Sequence, residues 1–315
     1  MNIIVPTYPP HFLWNKLFLK SFKKHCINYE KSSIQFIVNK NDYSNFIEVI
    51  KELLDENIKI KIFEKILINC GQKYIFYPTN DYEKYSFQSI KKMFSVIDSE
   101  YEKNLVLDSE NIVVKDFKFE ELFINEDKIF YCDWITSHVQ NNVVNSCNRL
   151  LNLNNTKWFF ETSFWIYNKQ EFIDIIEYII KNNNIEKQNL VAYLKNFVFF
   201  EKNLYDLWKI KIKGQSNDIF NQDDCLTYFK DSPILNELNG KLITTEHMIS
   251  YISNEEDIEK YIKFVNNRNY NILRVNDLLS VKSLEGIINS TDAKILTVFD
   301  NKKEIYDFWS KKIYG

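Results

Sequence analysis

Four short strand-like runs in the first third of the chain, at residues 3–5, 34–38, 59–63 and 105–107, limit the fold more than any other feature. The stretches between them carry a helical spacing. Residues 12–26 place Leu13, Leu17, Phe18, Phe22 and Cys26 at near-helical intervals, and 43–54 follow an aspartate, Asp42, positioned to cap a helix. Residues 86–97 turn Phe87, Ile90, Phe94 and Ile97 to one side, after a long loop expected at 69–85. Strand and helix alternating in this way imply a mostly parallel sheet with helices on both faces. Further along, 128–131 and 158–167 read as strands, and 171–181 and 187–200 as helices. A β-α-β-α series closes the chain: a helix from Asp257 to 265, then a strand at 271–275, a helix at 281–288, a strand at 294–299 and a helix at 303–313. The reading is a main domain over 1–255 and a C-terminal α/β extension over 256–315 that could pack on it.

With 315 residues, 45% of them hydrophobic and 16% aromatic, the chain has ample material for a globular core. Forty Lys and Arg against 43 Asp and Glu leave a formal charge of -3, which gives no global attraction to nucleic acid or to an anionic membrane. Phosphate binding must therefore come from a local site. The first strand ends in Pro6-Thr7-Tyr8-Pro9-Pro10, which cannot form the glycine turn of a dinucleotide fold; a P-loop and an H-E-x-x-H helix are also missing. Cys26, Cys70, Cys132, Cys147 and Cys225 are odd in number and widely spaced, which fits a reducing cytoplasm better than a disulfide framework. The amino terminus lacks the basic and apolar regions of a signal peptide, and no apolar run nears the roughly 20 residues that span a bilayer. The expectation is a soluble, cytoplasmic protein, at most peripheral to a membrane.

The chemistry is concentrated after the fourth apolar run. Leu105-Val106-Leu107 delivers Asp108 and Glu110, one residue apart, before Ile112-Val113-Val114 resumes the apolar pattern. A buried strand ending in an acid-x-acid step puts both carboxylates at the carboxyl edge of a sheet, where open α/β folds bind ligands. Their mutual repulsion is relieved by a hard divalent cation, Mg²⁺ or Mn²⁺, bridging to phosphate oxygens. His247, in Thr244-Thr245-Glu246-His247-Met248, could add an imidazole suited to Mn²⁺, whereas His11, His25 and His138 show no partner pattern. On the preceding helix, Gln88, Lys91 and Lys92 lie near the strand end, and one lysine there could neutralise a diphosphate, although lysine on an exposed helix face is ordinary. Glu161 is a lone acid in the aromatic run between Trp158 and Tyr167; burial would raise its pKa and suit it to act as a general base. Asp133 and Glu246 are weaker candidates of the same kind.

The order of Ile3-Ile4-Val5-Pro6-Thr7-Tyr8, the Gln88–Met93 helix and Val106-Leu107-Asp108-Ser109-Glu110 resembles the nucleotide-sugar half of a GT-A-fold glycosyltransferase. Phe160-Glu161, Trp165-Ile166-Tyr167 and Thr245-Glu246-His247 are similar to positions in bacterial GT-A-like proteins linked to capsule and surface polysaccharides. The resemblance covers about residues 2 to 170 and, more weakly, 240 to 252. It implies a GT-A-like, Rossmann-type, mostly parallel central sheet with a metal-binding D-x-D step, here Asp108-Ser109-Glu110 with glutamate in the second acidic place. Pro6, Thr7 and Tyr8 would hold the nucleotide with Gln88, Lys92 and Asp108, and Mn²⁺ or Mg²⁺ would sit on Asp108, Glu110 and His247. The implied partners are a nucleoside diphosphate sugar and a glycan or lipid-linked glycan acceptor in capsule or lipooligosaccharide synthesis, with peripheral inner-membrane association compatible; Glu161, Asp133 or Glu246 would be the base. The alternatives are a nucleotidyl- or phosphotransferase acting on a sugar and an inactive GT-A-like binding subunit.

Overall fold

The computed structural model describes residues 1–124, 129–130, 138–156, 165–215, 219–220, 259, 262–263, 266, 271–275, 281–298 and 303–314. Its strands are β1 (Asn2–Pro6), β2 (Ile34–Val38), β3 (Ile58–Ile62), β4 (Lys103–Val106), β5 (Asn111–Val113), β6 (Ile129–Phe130), β7 (Ile166–Asn168), β8 (Ile219–Phe220), β9 (Ile272–Val275) and β10 (Ile295–Val298). The helices are α1 (Phe12–His25), α2 (Tyr43–Ile50), α3 (Phe63–Asn69), α4 (Asp81–Ile97), α5 (His138–Leu151), α6 (Lys169–Asn182), α7 (Leu190–Leu194), α8 (Glu201–Lys211), α9 (Val281–Ser290) and α10 (Lys303–Tyr314).

The central sheet has the order β3-β2-β1-β4-β7, with β1 to β4 mutually parallel and β7 antiparallel at the edge. Alternation along each strand divides the core in two. Ile4, Ile37 and Val106 join Phe63, Ile90, Met93 and Phe94 of α3 and α4 on one face. Ile3, Val5, Phe36, Val38, Leu105 and Leu107 join Phe18, Phe22 and Phe46 of α1 and α2 on the other. The chain is thus an α/β protein with a mostly parallel sheet flanked by helices. Because the chain leaves β1 toward β2 on one side and returns to β4 on the other, the strand order reverses between β1 and β4. This opens a crevice beyond their carboxyl ends.

A second sheet, β5-β10-β9, joins the C-terminal strands to the segment that follows the acidic pair; β10 is antiparallel to β5 and parallel to β9. A short parallel pair, β6 with β8, completes the described strands.

Several boundaries differ from the expectations. The loop expected over 69–85 is shorter, because a helix that was not anticipated, α3, follows β3 directly and runs to Asn69, and α4 begins at Asp81. Asn80 accepts from the Glu83 N–H, while Glu83 Oε2 receives the Thr79 N–H and hydroxyl, each at 2.7 Å. This local capping network starts the helix five residues earlier than its apolar stripe suggests. Asp42 occupies the cap position of α2 but makes no side-chain cap hydrogen bond, since a 3₁₀ turn, Lys40–Asp42, already leads into the helix. The single helix expected over 187–200 is a 3₁₀ turn followed by the five-residue α7. Helices α5 and α8 were not anticipated.

Candidate functional site

The crevice is built from the segments after β1 and β4, with α1 and α4 supporting them from behind. Thr7 continues from β1 and is held on three sides. Its N–H donates to the Ile37 carbonyl at 2.9 Å, its hydroxyl oxygen accepts from Asn15 of α1 at 2.7 Å, and its carbonyl accepts from Lys91 of α4 at 2.9 Å. Pro6 closes β1, and Tyr8 leads into a 3₁₀ turn, Pro9–His11.

Across the crevice, each acid of the pair has its own partner. Lys92 Nζ lies 3.1 Å from Asp108 Oδ1 and 3.4 Å from Glu201 Oε1, and it sits 3.8 Å over the Trp165 ring. Glu110 Oε1 lies 3.0 Å from His11 Nε2, and Glu110 Oε2 accepts from the Ser109 hydroxyl at 3.2 Å. His11 also meets the Tyr8 hydroxyl at 2.7 Å through Nε2 and Ser109 Oγ at 2.5 Å through Nδ1. A single buried imidazole therefore joins the β1 segment to the β4 segment. The backbone of the acidic turn is anchored as well: Asn111 donates to the Asp108 carbonyl and accepts from Thr297 of β10 at 2.6 Å.

The electrostatics follow from this packing. Burial works against the Lys92 ammonium, but the facing Asp108 and Glu201 carboxylates outweigh it and hold its pKa above the ordinary lysine value. The Tyr8 hydroxyl is pushed up to about 12 by burial and then by Glu110 and Asp108. Tyr167, which donates to Glu201 at 3.3 Å, is raised well above its ordinary value by burial and then by the Glu201 and Asp206 charges.

Lys91 is different. Burial lowers its pKa to about 7, against the smaller opposing influence of Glu64 and Asp42. The unfolded chain, with an ordinary lysine near 10.5, then binds more protons than the folded one between those two values. The penalty for burying the charge is complete below the folded pKa and is relieved as pH rises, so this residue makes stability increase from neutral pH upward. Each tenfold change in proton affinity is worth about 1.4 kcal/mol. Urea titrations across this range should show that rise, and Lys91→Met should flatten it; a wild-type curve with no rise would refute the assignment.

The structure brings together Thr7, Tyr8, Lys92, Asp108 and Glu110 around the crevice, with Pro6 at the end of β1. Gln88 lies one turn back on α4 and is exposed. Glu161, Asp133, Glu246 and His247 lie outside the described residues, as does Trp158. Two sequence expectations need correction. His11 does have partners, because the turn after β1 folds it back against Ser109 and Glu110. Lys91 and Lys92 are buried, at 4% and 9% exposure, on a helix whose lysine-bearing face is covered. Glu201 was missed altogether. Its helix, with four charged residues in its first nine, resembles a surface helix in sequence.

The donor set suits a hard cation. Asp108 meets Lys92 through one oxygen, and its other oxygen has no partner among the described residues. Both carboxylates are oriented by groups behind them, the arrangement that commonly supports metal ligands. No group of three or more His, Cys, Asp or Glu side chains that could hold a metal occurs among the described residues. Asp108 and Glu110 are the two carboxylates the acidic turn offers, and a Mg²⁺ site commonly uses one or two carboxylates plus substrate phosphates.

No protein-family model matches the chain, and no curated protein sequence matches it. Among solved structures it is similar to mouse xyloside xylosyltransferase 1 in its apo form, with 11% identity and a TM-score of 0.36 over 75% of this chain and 91% of that one. It is also similar to the apo WbbM bifunctional glycosyltransferase, with 11% identity and a TM-score of 0.42 over 99% of this chain and 49% of that one. A third is S. aureus TarS 1–349 in complex with UDP, with 12% identity and a TM-score of 0.31 over 85% and 72% of the two chains. The chain thus spans about half the length of WbbM. At these scores the likeness is one of general chain path, and the chemistry rests on this chain's own residues.

Proposed function

We propose that the chain is a metal-dependent glycosyltransferase that moves a sugar from a nucleoside diphosphate sugar to a glycan or lipid-linked glycan acceptor. The observation that carries this reading is the placement of Asp108 and Glu110 at the β1/β4 crevice, opposite the Thr7-Tyr8 segment and beside the Lys92 ammonium. Paired carboxylates with a nearby cation suit a phosphate-bound divalent ion better than they suit direct anion binding, because the local charge without a metal is negative. Mn²⁺ or Mg²⁺ on Asp108 and Glu110, with His247 as a further ligand, would stabilise charge on the departing diphosphate. The protein's own part is positioning. Thr7 and Tyr8 frame the nucleotide, Lys92 orients Asp108, and His11 orients Glu110. Glu161, Asp133 and Glu246 are the proposed bases for the acceptor hydroxyl. A role in capsule or lipooligosaccharide synthesis is the biological setting we favour. No helix among the described residues is long and apolar enough to cross a membrane, and peripheral association would bring the site to a lipid-linked acceptor.

A thermal-shift screen of nucleoside diphosphates with and without Mn²⁺ tests the reading. A ligand at about a hundred times its Kd adds roughly 2.7 kcal/mol of stability, which is a shift of several degrees. The expected result is a shift for at least one diphosphate that requires the metal. No shift with any of them, in Mn²⁺ or Mg²⁺, would overturn it. Transfer of sugar without incorporation of nucleotide would then exclude a nucleotidyltransferase.

A further inference from the structure

We infer that Lys91 is a positioning residue of the nucleotide segment, a buried amine that fixes Thr7 from beneath and adds its charge to the binding of a diphosphate. The inference rests on the donor-site reading above. Lys91 Nζ donates to the Thr7 carbonyl at 2.9 Å and to Asn39 Oδ1 at 3.2 Å, so it ties the segment after β1 to the segment after β2 at the carboxyl edge of the sheet. The Phe63 and Phe87 rings lie 5.9 and 6.0 Å from the amine, which is otherwise shut away from solvent.

The charged groups facing Lys91 come from three elements. Glu64 of α3 is held by the Lys40 N–H at 2.9 Å and by the Tyr77 hydroxyl at 2.5 Å. Asp42 lies in the 3₁₀ turn after β2 and, like Glu64, acts on Lys91 only as the weaker influence beside burial. On α4 itself, Lys92 is turned away toward Asp108 and Glu201. Among the described residues no carboxylate contacts Lys91, in contrast with Lys92, which faces two. An amine has two protons to donate and an ammonium has three, so the bonds to Thr7 and Asn39 survive in either state. Protonation therefore changes the charge beneath the segment much more than its shape.

A bound diphosphate favours the ammonium, and by reciprocity the ammonium favours the diphosphate. Affinity for a nucleoside diphosphate should fall as pH rises above neutral, and affinity for the uncharged nucleoside should not. The experiment is calorimetric titration of UDP and GDP, and of uridine and guanosine, at constant Mg²⁺ from about pH 7 to about pH 9, a range that keeps the ligand phosphate ionised. Wild-type affinity for the diphosphate is expected to drop by about fivefold over that range, the part of a one-unit displacement of proton affinity on binding that falls above pH 7. Lys91→Met should bind more weakly near neutral pH and lose the slope. Lys91→Arg, charged throughout, should also lose the slope but keep the stronger binding. An unchanged slope in Lys91→Met, a flat wild-type profile, or an equal fall for the nucleoside would each overturn the inference. If the arginine variant does not fold, the wild-type contrast between diphosphate and nucleoside and the methionine variant still decide it. Absence of diphosphate binding at every pH would instead remove the donor-site reading on which it stands.

Discussion

Lys92→Met should cost about 3–5 kcal/mol of stability, the usual loss when one member of a buried ion pair is removed and its partner is left behind. The stranded partner is Glu201, which is 3% exposed and among the described residues would keep only the Tyr167 hydroxyl as a side-chain donor. Asp108 is affected less, because it lies nearer the solvent. Chemical denaturation measures the loss directly. The double variant Lys92→Met/Glu201→Leu should recover much of it, since an apolar pair of similar volume no longer strands a charge. A single variant within about 1 kcal/mol of wild type would mean that the ammonium holds little together, contrary to the geometry.

Asp108→Ala has the other large expected effect, this time on function. If Asp108 holds the metal-bound diphosphate, its loss should abolish the metal-dependent thermal shift and lower kcat/KM for sugar transfer by about a hundredfold or more, the scale of losing a direct electrostatic contact to the transition state. Asp116→Ala is the matched control. That carboxylate is exposed, pairs with His25 at 2.7 Å, and lies outside the crevice, so its removal should leave both readouts unchanged. Metal-dependent binding that persists in Asp108→Ala would refute the assigned role.

The contrast between Lys92 and Lys91 shows what the sequence made legible. The sheet was readable because its strands are short runs dominated by apolar residues, such as Ile34–Val38 with Gln35 as its one polar residue, and the helices between them keep an apolar stripe. The acid step was readable because Asp108 and Glu110 break such a pattern at the end of β4. The groups that hold those acids were not. Lys91 and Lys92 sit side by side in Ser-Ile-Lys-Lys-Met-Phe, and nothing local reveals that α8, which begins 109 residues after Lys92, covers one of them. Helix α8 itself reads as a surface helix because Glu201, Lys202, Asp206 and Lys209 are charged. All four are buried, with Lys202 on Asp206 at 2.7 Å and Lys209 within 4.0 Å of Glu171. Pairings made across the chain carry no local periodicity, so they emerge only from the assembled fold. His11 escaped notice for the same reason, since Ser109 and Glu110, the partners that tie it to the acidic turn, lie about a hundred residues away.

The bond from Thr297 to Asn111 spans 186 residues and is the last brace the acidic turn receives. It also sets an order of events during synthesis. Strands β1 to β4 can pair as soon as residue 106 is clear of the ribosome, whereas β5 must wait for β10 before its own sheet can form. The crevice is therefore outlined early in translation, and its acidic wall becomes rigid only near the end. A nascent chain halted before residue 295 would carry both carboxylates without the strand that steadies them.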